Sequence, residues 1–508
     1  MSKKFHMAIV GAGTTTLFLL HELLSLDDCA LSRIVLTIFE ATADAGAGFA
    51  FSKDAVHPDL LSNNAPEEIP DLLTSYIDWK KTCGTTSQAN RKVERRADVG
   101  LFFKHNYQAI LAQLTQRGLS VYQRRAVIQD LEKAEQGYRL YADDWLTDSF
   151  DRVFINIGRE RAAPPLKGTE YPYPTSHYSA KAYRHYNVIG SSLTAVDCVV
   201  GIANKKGNFC SSNEALTFSS HTDWYIRLFS SHGVFPRVWY PSDDKRYFSA
   251  YLRRLSNQHY QTVDEAYKSL LLPALKAHTP SIFLQVSHMS FDQMLTFLAG
   301  NEKSIDPWQK LQTELTSTAS EYSQWPVILE AFLETIEFSN LSGEHRNKSE
   351  DDTLHALIAF HTAALPYESC LKLNALHNAG RLEVISRHID EDELAGNTRE
   401  DSVYIDGTGV LPAINKSLTA EKIKQALKVS GFHFSSNNRT PGERDFELLC
   451  DGKPSGVYLG SAYLQPDRWN TPGLDTCKEI AQSLRKSIEQ TLYPKQKIRL
   501  PFQINVPN

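Results

Sequence analysis

Several features that mark other classes of protein are missing from this chain. No run of 18 apolar residues occurs, so no transmembrane helix is expected. The formal net charge of −5 and the lack of a long basic stretch give no reason to expect nucleic acid as a partner. The seven cysteines include no Cys-x-x-Cys pair, which argues against a zinc site and against a redox-active dithiol.

The overall composition is that of a globular protein. The 508 residues are 42% hydrophobic and 22% charged, and this length allows about two to four domains. The charged N-terminus resembles the start of a signal peptide, but cleavage there would destroy the glycine turn at residues 11–13. We therefore expect a cytoplasmic protein, and the sequence leaves a homo-oligomer open.

The N-terminal segment predicts a dinucleotide-binding site. Residues 7–16 read as a strand, a glycine turn and the start of a helix. Gly11 allows a sharp turn, and Gly13 lets the backbone approach a pyrophosphate. The helix N-terminus then attracts the phosphates through its free N–H groups and its dipole. Thr16 replaces the third glycine of the usual G-x-G-x-x-G pattern.

The residues after this turn indicate which nucleotide it binds. A buried strand at residues 34–39 ends in Glu40. A carboxylate at this position holds ribose hydroxyls and repels a 2′-phosphate, so the first site suits FAD or NAD rather than NADP. Residues 45–52 and 60–66 read as loops that could lie against a flat cofactor, and the strand at residues 151–158 ends in a glycine turn.

A second, weaker signal lies at residues 186–197, again as strand, tight turn and helix. Gly190 makes the turn, Ser192 is small enough for close approach, and Ala195 permits tight packing of the helix on the sheet. Many α/β folds contain such turns, so this second signal is significant mainly because it follows a first dinucleotide-binding signal in the same chain.

The strand expected to follow, residues 224–229, bears on the choice between NADP and NAD. Its tip carries Ser231 and His232, where an NADP site usually has an arginine. Candidate substitutes are Arg237 and either Lys245 or Arg246. NADPH is therefore favoured by analogy, and NADH remains open.

The remaining chain predicts an insertion and a return to the sheets. Apolar residues between about 240 and 372 recur at helical spacing, which indicates a mainly helical insertion. Strands are expected again at residues 380–385 and 402–409. A glycine turn at Gly473 then begins an amphipathic helix that runs from Asp475 to about Leu492.

Taken in order, these motifs resemble those of bacterial FAD-NAD(P)-binding proteins, which are related to class B flavin monooxygenases and their amino-acid N-hydroxylases. The matching segments are residues 11–13, Glu40, residues 46–52, residues 61–63, Trp79, residues 189–197, residues 233–236 and residues 380–382.

The resemblance implies an α/β fold with two Rossmann-like dinucleotide-binding domains of the three-layer ββα sandwich type and a mainly helical insertion. The expected FAD-binding domain comprises residues 1–185 and 401–508. The expected NAD(P)H-binding domain comprises residues 186–400, with the insertion at about 240–372.

The resemblance also implies a function. It predicts an FAD-dependent, NAD(P)H-using monooxygenase that oxygenates a small molecule with O2, for example an amine or amino acid nitrogen, through a C4a-(hydro)peroxyflavin. Because the cofactor supplies this chemistry, no nucleophile or metal ligand is needed. Two alternatives stay open: a flavin dehydrogenase or oxidase that inserts no oxygen, and a non-catalytic nucleotide-binding protein.

The resemblance assigns candidate site residues. Asn63 is the candidate catalytic residue near the flavin, and an ordinary turn-capping asparagine is its structural alternative. Thr16→Gly is expected to tighten FAD binding or to leave it intact, and loss of binding would contradict the placement of this helix against the sheet. The candidate residues for binding FAD and NADPH or NADH are Gly11, Gly13, Thr15, Thr16, Glu40, Phe49, Ala50, Gly158, Gly190, Ser191, Ser192, Thr194, Gly409, Gly460, Gly473 and Leu474.

Overall fold

A computed structural model describes most of the chain. The described residues are 4–53, 57–83, 93–142, 145–158, 168–211, 215–231, 233–239, 244–256, 259–316, 321–337, 340–341, 352–396, 400–408, 432–434, 446–450, 453–460 and 473–493. Within these ranges, no helix combines the length and the apolar character needed to cross a bilayer.

Most strands belong to two sheets whose central strands are parallel. In chain order the strands are β1 Phe5–Val10, β2 Ile34–Glu40, β3 Ser120–Arg125, β4 Ile128–Lys133, β5 Tyr138–Ala142, β6 Trp145–Leu146, β7 Arg152–Ile155, β8 His185–Ile189, β9 Asn208–Ser211, β10 Leu216–Ser219, β11 Tyr225–Ser230, β12 Arg237–Trp239, β13 His259–Tyr260, β14 Asn340–Leu341, β15 Ala364–Pro366, β16 Leu382–Ser386, β17 Ser402–Asp406, β18 Phe432–Phe434, β19 Glu447–Cys450 and β20 Lys453–Leu459.

Helices connect these strands and form the insertion. In chain order they are α1 Thr14–Leu23, α2 Asp28–Ser32, α3 Gly48–Phe51, α4 Tyr76–Thr82, α5 Arg96–Gln116, α6 Ser176–Ser179, α7 Leu193–Lys206, α8 Asp244–Leu255, α9 Val263–Ala266, α10 Leu272–His278, α11 Pro280–Val286, α12 Phe291–Lys303, α13 Pro307–Thr316, α14 Glu321–Glu337, α15 Asp352–Thr362, α16 Tyr367–Asn378, α17 Glu391–Gly396 and α18 Leu474–Leu492, with a 3-10 turn at Pro66–Glu68 and a π turn at Tyr267–Leu271.

The first sheet is the central one of three layers, as predicted. Its strand order is β18-β19-β20-β7-β1-β2-β3, and β3, β2, β1, β7 and β20 run parallel. Apolar residues of α1, α5 and α18 cover one face. The small antiparallel sheet β4-β5-β6 covers the other face. Burial on both faces explains the Val- and Ile-rich sequence of β2.

The second sheet repeats the parallel arrangement in the order β16-β11-β8-β17. Helices α7 and α16 pack on one face, and residues from the α17 region pack on the other. Strand β17 corrects the expected domain boundary at residue 401, because Ser402–Asp406 pairs with β8 and belongs to the second sheet. The first sheet resumes in the described residues at Phe432–Phe434.

The region between β11 and β16 is mainly helical, as predicted. Helices α8 to α15, apart from α13, surround a separate apolar core, which includes Leu252, Phe291 and Phe332. Helix α13 and strands β12 and β15 instead join the core of the second sheet. The insertion is therefore anchored to the second Rossmann-like unit.

Candidate cofactor site

The first glycine turn lies at the carboxyl end of β1. Gly11 has a φ of +93°, and a Cβ there would lie 2.6 Å from the carbonyl oxygen of Asn156. A side chain is therefore excluded both by backbone strain and by contact. Gly13 is the N-cap of α1 and provides no side-chain cap, so the helix presents its first N–H groups to the space before it.

Glu40 lies directly beside this turn. Its carboxylate accepts hydrogen bonds from Ala12 N at 2.7 Å and from Thr42 N and Oγ1, both at 2.9 Å. A carboxylate has about four acceptor positions, so one remains after these three bonds. Glu40 thus stands at the position that receives a ribose hydroxyl in dinucleotide folds.

The loop of residues 44–52 folds over the first turn. Gly46 N donates to Ala12 O at 2.6 Å, and a Cβ on Gly48 would lie 3.2 Å from the Cα of Gly13. The buried Asp44 carboxylate holds the loop by accepting bonds from Ser52 and Lys104. Burial opposes the charge on Asp44, but these two donors outweigh it and lower the pKa of Asp44.

Phe49 and Ala50 lie on the short helix of this loop, with different surroundings. The Phe49 ring packs edge-on against Tyr173, at 5.8 Å between ring centroids, whereas Ala50 is exposed. The structure therefore places both residues beside the turn. Of the two, only Phe49 makes an aromatic contact with a described residue.

Thr16 connects the turn to the loop after β7. Its hydroxyl donates to Gly11 O at 2.6 Å and accepts a bond from Asn156 Nδ2 at 3.0 Å. Thr16 is fully buried and Asn156 is 3% exposed, so water cannot replace these partners. These bonds give Thr16 a structural role at the turn, and the effect of glycine at position 16 on FAD binding stays a prediction. Its neighbour Thr15 is also nearly buried.

Gly460 and Gly158 lie near the same loop but under different constraints. A Cβ on Gly460 would lie 2.0 Å from Asn156 Oδ1, so the close approach of β20 requires glycine. Gly158 has no described atom within 4 Å of such a Cβ and faces open space. Gly460 therefore acts through packing, and Gly158 is the better placed of the two for a ligand.

Helix α18 brings a second N-terminus to the first turn. Gly473 is its N-cap, Leu474 is buried, and the Thr14 hydroxyl of α1 donates to Cys477 Sγ at 3.4 Å. The predicted turn residue Gly409 lies outside the described residues. Its neighbour Gly407 lies at the second glycine turn and not at the first.

The second glycine turn repeats the geometry of the first. Gly190 has a φ of +108°, and a Cβ there would lie 2.8 Å from Gly407 O. Ser192 is the exposed N-cap of α7 and makes no side-chain cap, and Thr194 follows in the first helical turn. Each turn is thus backed by the loop after another strand, β7 in the first unit and β17 in the second.

Ser191 has a structural role at the second turn. Its hydroxyl donates to Val234 O at 2.7 Å and lies 2.9 Å from the Ser230 hydroxyl. These contacts tie the turn to the end of β11. A ligand at this turn therefore meets mainly the backbone N–H groups of α7 and the small side chain of Ser192.

A buried polar cluster joins the two Rossmann-like units. Asp197 on α7 binds Nη1 of Arg96 on α5, at 2.8 Å, and accepts a bond from the Tyr173 hydroxyl. Arg96 Nε also donates to Leu61 O at 2.9 Å, in the loop that carries Asn63. The helix of the second turn is thereby connected to two loops of the first unit.

Asn63 lies where that loop meets the insertion. Its side chain is exposed, and Nδ2 donates to Ala364 O at 3.3 Å. This bond joins the loop of Asn63 to β15. Its catalytic role stays a prediction.

The structure adds residues that the sequence motifs did not single out. Asp44, Arg96 and Tyr173 organise the loops, but no local pattern marks them, because each acts through a partner distant in sequence. Asn156 could have been noticed, since an amide side chain directly follows a buried strand. At Gly11 and Gly190 a Cβ would collide with the loop behind the turn, and each turn leads into a helix N-terminus without a side-chain cap, so the residues present fit a dinucleotide at each turn.

Comparison with known proteins gives a family match for the region of the first turn. Residues 8–160 match a protein family described as FAD-NAD(P)-binding. The chain is also 23% identical to YdhS, an uncharacterized protein of Escherichia coli (strain K12), over 95% of this chain and 97% of that protein. The predicted cofactors, FAD and a pyridine nucleotide, agree with the family match.

Two solved structures share the fold. Ornithine hydroxylase PvdA from Pseudomonas aeruginosa has a TM-score of 0.52 at 10% identity, covering 96% of this chain and 99% of its own. FAD-bound DfoA, a cadaverine monooxygenase from Erwinia amylovora, has a TM-score of 0.50 at 11% identity, covering 100% and 99%. At these identities the likeness shows the fold alone, and it confirms the predicted fold class.

Proposed function

We propose that this chain is an FAD-dependent, NAD(P)H-using monooxygenase of a small molecule, since residues 8–160 match the FAD-NAD(P)-binding family. The pair of matched glycine turns carries the proposal. Gly11 and Gly190 have similar left-handed φ values, and each lies against the loop after another parallel strand. Two such turns in one chain suit a flavin dinucleotide and a second dinucleotide that reduces it.

The chain's own groups would bind and orient these cofactors. Bound FAD would supply two-electron reduction by NAD(P)H and the reaction with O2. Gly11, Gly13 and the N-terminus of α1 would hold the FAD pyrophosphate, and Glu40 would hold a ribose hydroxyl. The N-terminus of α7 would hold the pyrophosphate of NAD(P)H. The insertion and the loop of Asn63 would exclude water from the substrate.

We infer that the substrate presents an amine. Ornithine and cadaverine, named for the two solved relatives, both carry amino groups. In this chain, carboxylates concentrate where the insertion approaches α18. Lys245 Nζ lies 2.7 Å from Glu334 and interacts with Glu68, and Asp475 faces the same group of charges. Burial raises the pKa of both Glu68 and Asp475, and an ammonium group would relieve that penalty.

The proposed reaction is tested with FAD-loaded protein, NADPH and a panel of primary amines. We expect one amine to accelerate NADPH oxidation and to yield a product carrying one atom from isotopically labelled O2. NADPH oxidation that yields only hydrogen peroxide across the panel would identify an oxidase instead. Protein that binds no flavin after reconstitution would favour the non-catalytic alternative.

Asn63→Ala tests the proposed catalytic residue. If its amide contacts the reacting groups, product formation falls by about 10-fold or more, while flavin binding is unchanged. Asn64→Ala, at the next position of the same loop, is the matched control. Equal rates for the two variants would assign Asn63 a turn-capping role only.

A further inference from the structure

The two glycine turns differ at one corresponding position that decides nucleotide choice. Gly11 N donates to Phe39 O at 2.8 Å, and Gly190 N donates to Phe229 O at 2.7 Å, so the residue after each phenylalanine corresponds. That residue is Glu40 in the first unit and Ser230 in the second. The second site therefore lacks the carboxylate that favours a free ribose diol and repels a 2′-phosphate.

The cations expected at this position are engaged elsewhere. Arg237 lies on β12 and pairs with Glu330 at 2.7 Å, and Lys245 pairs with Glu334 on the insertion. Arg246 donates to Glu67 O, in the first unit. These residues hold the insertion in place, and none of the three lies on a strand of the second sheet.

Strand pairing brings a different arginine to the tip of β11. Ser230 pairs with Ser386 of the neighbouring parallel strand β16. Arg387 follows Ser386 and therefore lies at the same edge as Ser231. A Cβ on Gly233, in the loop after β11, would lie 2.8 Å from Ser386 Cβ, so the two strand ends are in close contact. Residues far apart in sequence thus form one corner of the second site.

The Arg387 guanidinium is held in a defined position. Its Cζ lies 5.0 Å from the centroid of the Phe229 ring, and Nη2 lies 2.7 Å from Glu393. Bonds from Nη1 to Glu393 and to His388 O bring the number of donated N–H groups to three. A guanidinium has five, so donors remain, and the side chain is 46% exposed.

We propose that Arg387 binds the 2′-phosphate of NADPH and makes the second site selective for NADPH over NADH. The inference rests on the proposed function, because it needs a pyridine nucleotide at the second turn. An exposed, stacked arginine suits a phosphate dianion, and Ser230 removes the repulsion that Glu40 provides at the first site. Glu393 limits the affinity by repelling the same dianion.

Binding to FAD-loaded protein, measured by titration calorimetry with NADP⁺ and NAD⁺, tests the proposal without turnover. Wild-type protein is expected to bind NADP⁺ more tightly. Arg387→Ala should weaken NADP⁺ binding by about 10- to 100-fold, the range for hydrogen bonds to charged groups, and leave NAD⁺ binding unchanged. Glu393→Gln should tighten NADP⁺ binding only, and this prediction holds even if Arg387→Ala folds poorly.

Arg227→Ala is the matched control. Arg227 lies on the same sheet, pairs with Glu383 and stacks on Tyr225 at 5.3 Å, but it is distant from the strand tip. Its variant should keep the wild-type ratio of affinities. If Arg387→Ala lost NADP⁺ and NAD⁺ binding equally, or lost neither, the role of Arg387 would be overturned and the proposed function would stand. Wild-type protein that binds neither nucleotide would overturn the proposed function as well.

Discussion

Removing the Thr16 hydroxyl should loosen the first glycine turn. Thr16→Val keeps the shape of the side chain but deletes one donor and one acceptor. Gly11 O then loses the bond measured at 2.6 Å, and Asn156 Nδ2 loses the bond measured at 3.0 Å. The bond between Thr16 and Asn156 is buried, since these residues are 0% and 3% exposed, so Asn156 Nδ2 cannot turn to water, whereas the bond to Gly11 O is only partly buried.

The magnitude follows from the two groups left unpaired. Leaving the buried Asn156 Nδ2 without this partner costs about 1 to 3 kcal/mol, and losing the partly buried bond to Gly11 O costs about 0.5 to 1.5 kcal/mol, so Thr16→Val should lower the free energy of unfolding by about 1.5 to 4.5 kcal/mol. Thr16→Ser keeps the hydroxyl and loses one methyl group, which costs about 1 kcal/mol. Urea unfolding of the flavin-free protein measures both values, and FAD titration should show weaker binding for the valine variant only.

If Thr16→Val lost less than about 1 kcal/mol, as little as Thr16→Ser, the two hydrogen bonds of the Thr16 hydroxyl would not stabilise the turn. A double variant with Asn156→Val sharpens the test. If the two side chains act through their mutual bond, the two losses will not add. Additive losses would show that Asn156 and Thr16 stabilise the fold independently.

Three further predictions concern the loops around the turn and the contact between the units. Asp197→Asn should lower the free energy of unfolding in urea by about 2 to 4 kcal/mol, because it removes the charge opposite the mostly buried Arg96, whereas Asp223→Asn, at an exposed pair, should leave it unchanged within error. Gly48→Ala should weaken FAD binding by about 10-fold or more, since its Cβ presses on Gly13. Gly380 has a similar φ of +66° and no neighbour within 4 Å of a Cβ, so the control Gly380→Ala should lower only the stability of the fold. Equal FAD affinities for the two variants would contradict a role of the loop contact in FAD binding. Because the pKa of Asp44 is lowered in the folded state, its ion pair stabilises the protein above the unfolded pKa of about 4, and this stabilisation is lost as pH falls through the folded pKa. The difference in unfolding free energy between wild type and Asp44→Asn should therefore shrink below about pH 4. A difference that stays constant to lower pH would contradict the ion pair's role.

Local patterns were sufficient to predict much of the fold. Strand–glycine–helix sequences at Gly11 and Gly190 identify both turns because the required backbone conformation and the helix N-terminus depend on neighbouring residues. The terminal helix and the helical insertion follow from apolar spacing in the same way.

Pairing between distant segments could not be predicted. The strand at 402–409 looks like a return to the first sheet, yet Tyr404 pairs with Asn187 in the second. Nothing local distinguishes these two outcomes, since both sheets accept a buried parallel strand. The same limit hides Arg387, whose importance comes from the register of β16 on β11, and Asp197, whose partner Arg96 lies on another unit.

Anaerobic titration of the FAD-loaded protein tests the central claim most directly. NADPH should bleach the flavin absorbance near about 450 nm stoichiometrically, and NADH should do so only at higher concentration. This result would show that the two glycine turns hold two dinucleotides and that electrons pass from the pyridine nucleotide to the flavin. A chain that binds no FAD, or a bound flavin that stays oxidised with either nucleotide, would contradict the account.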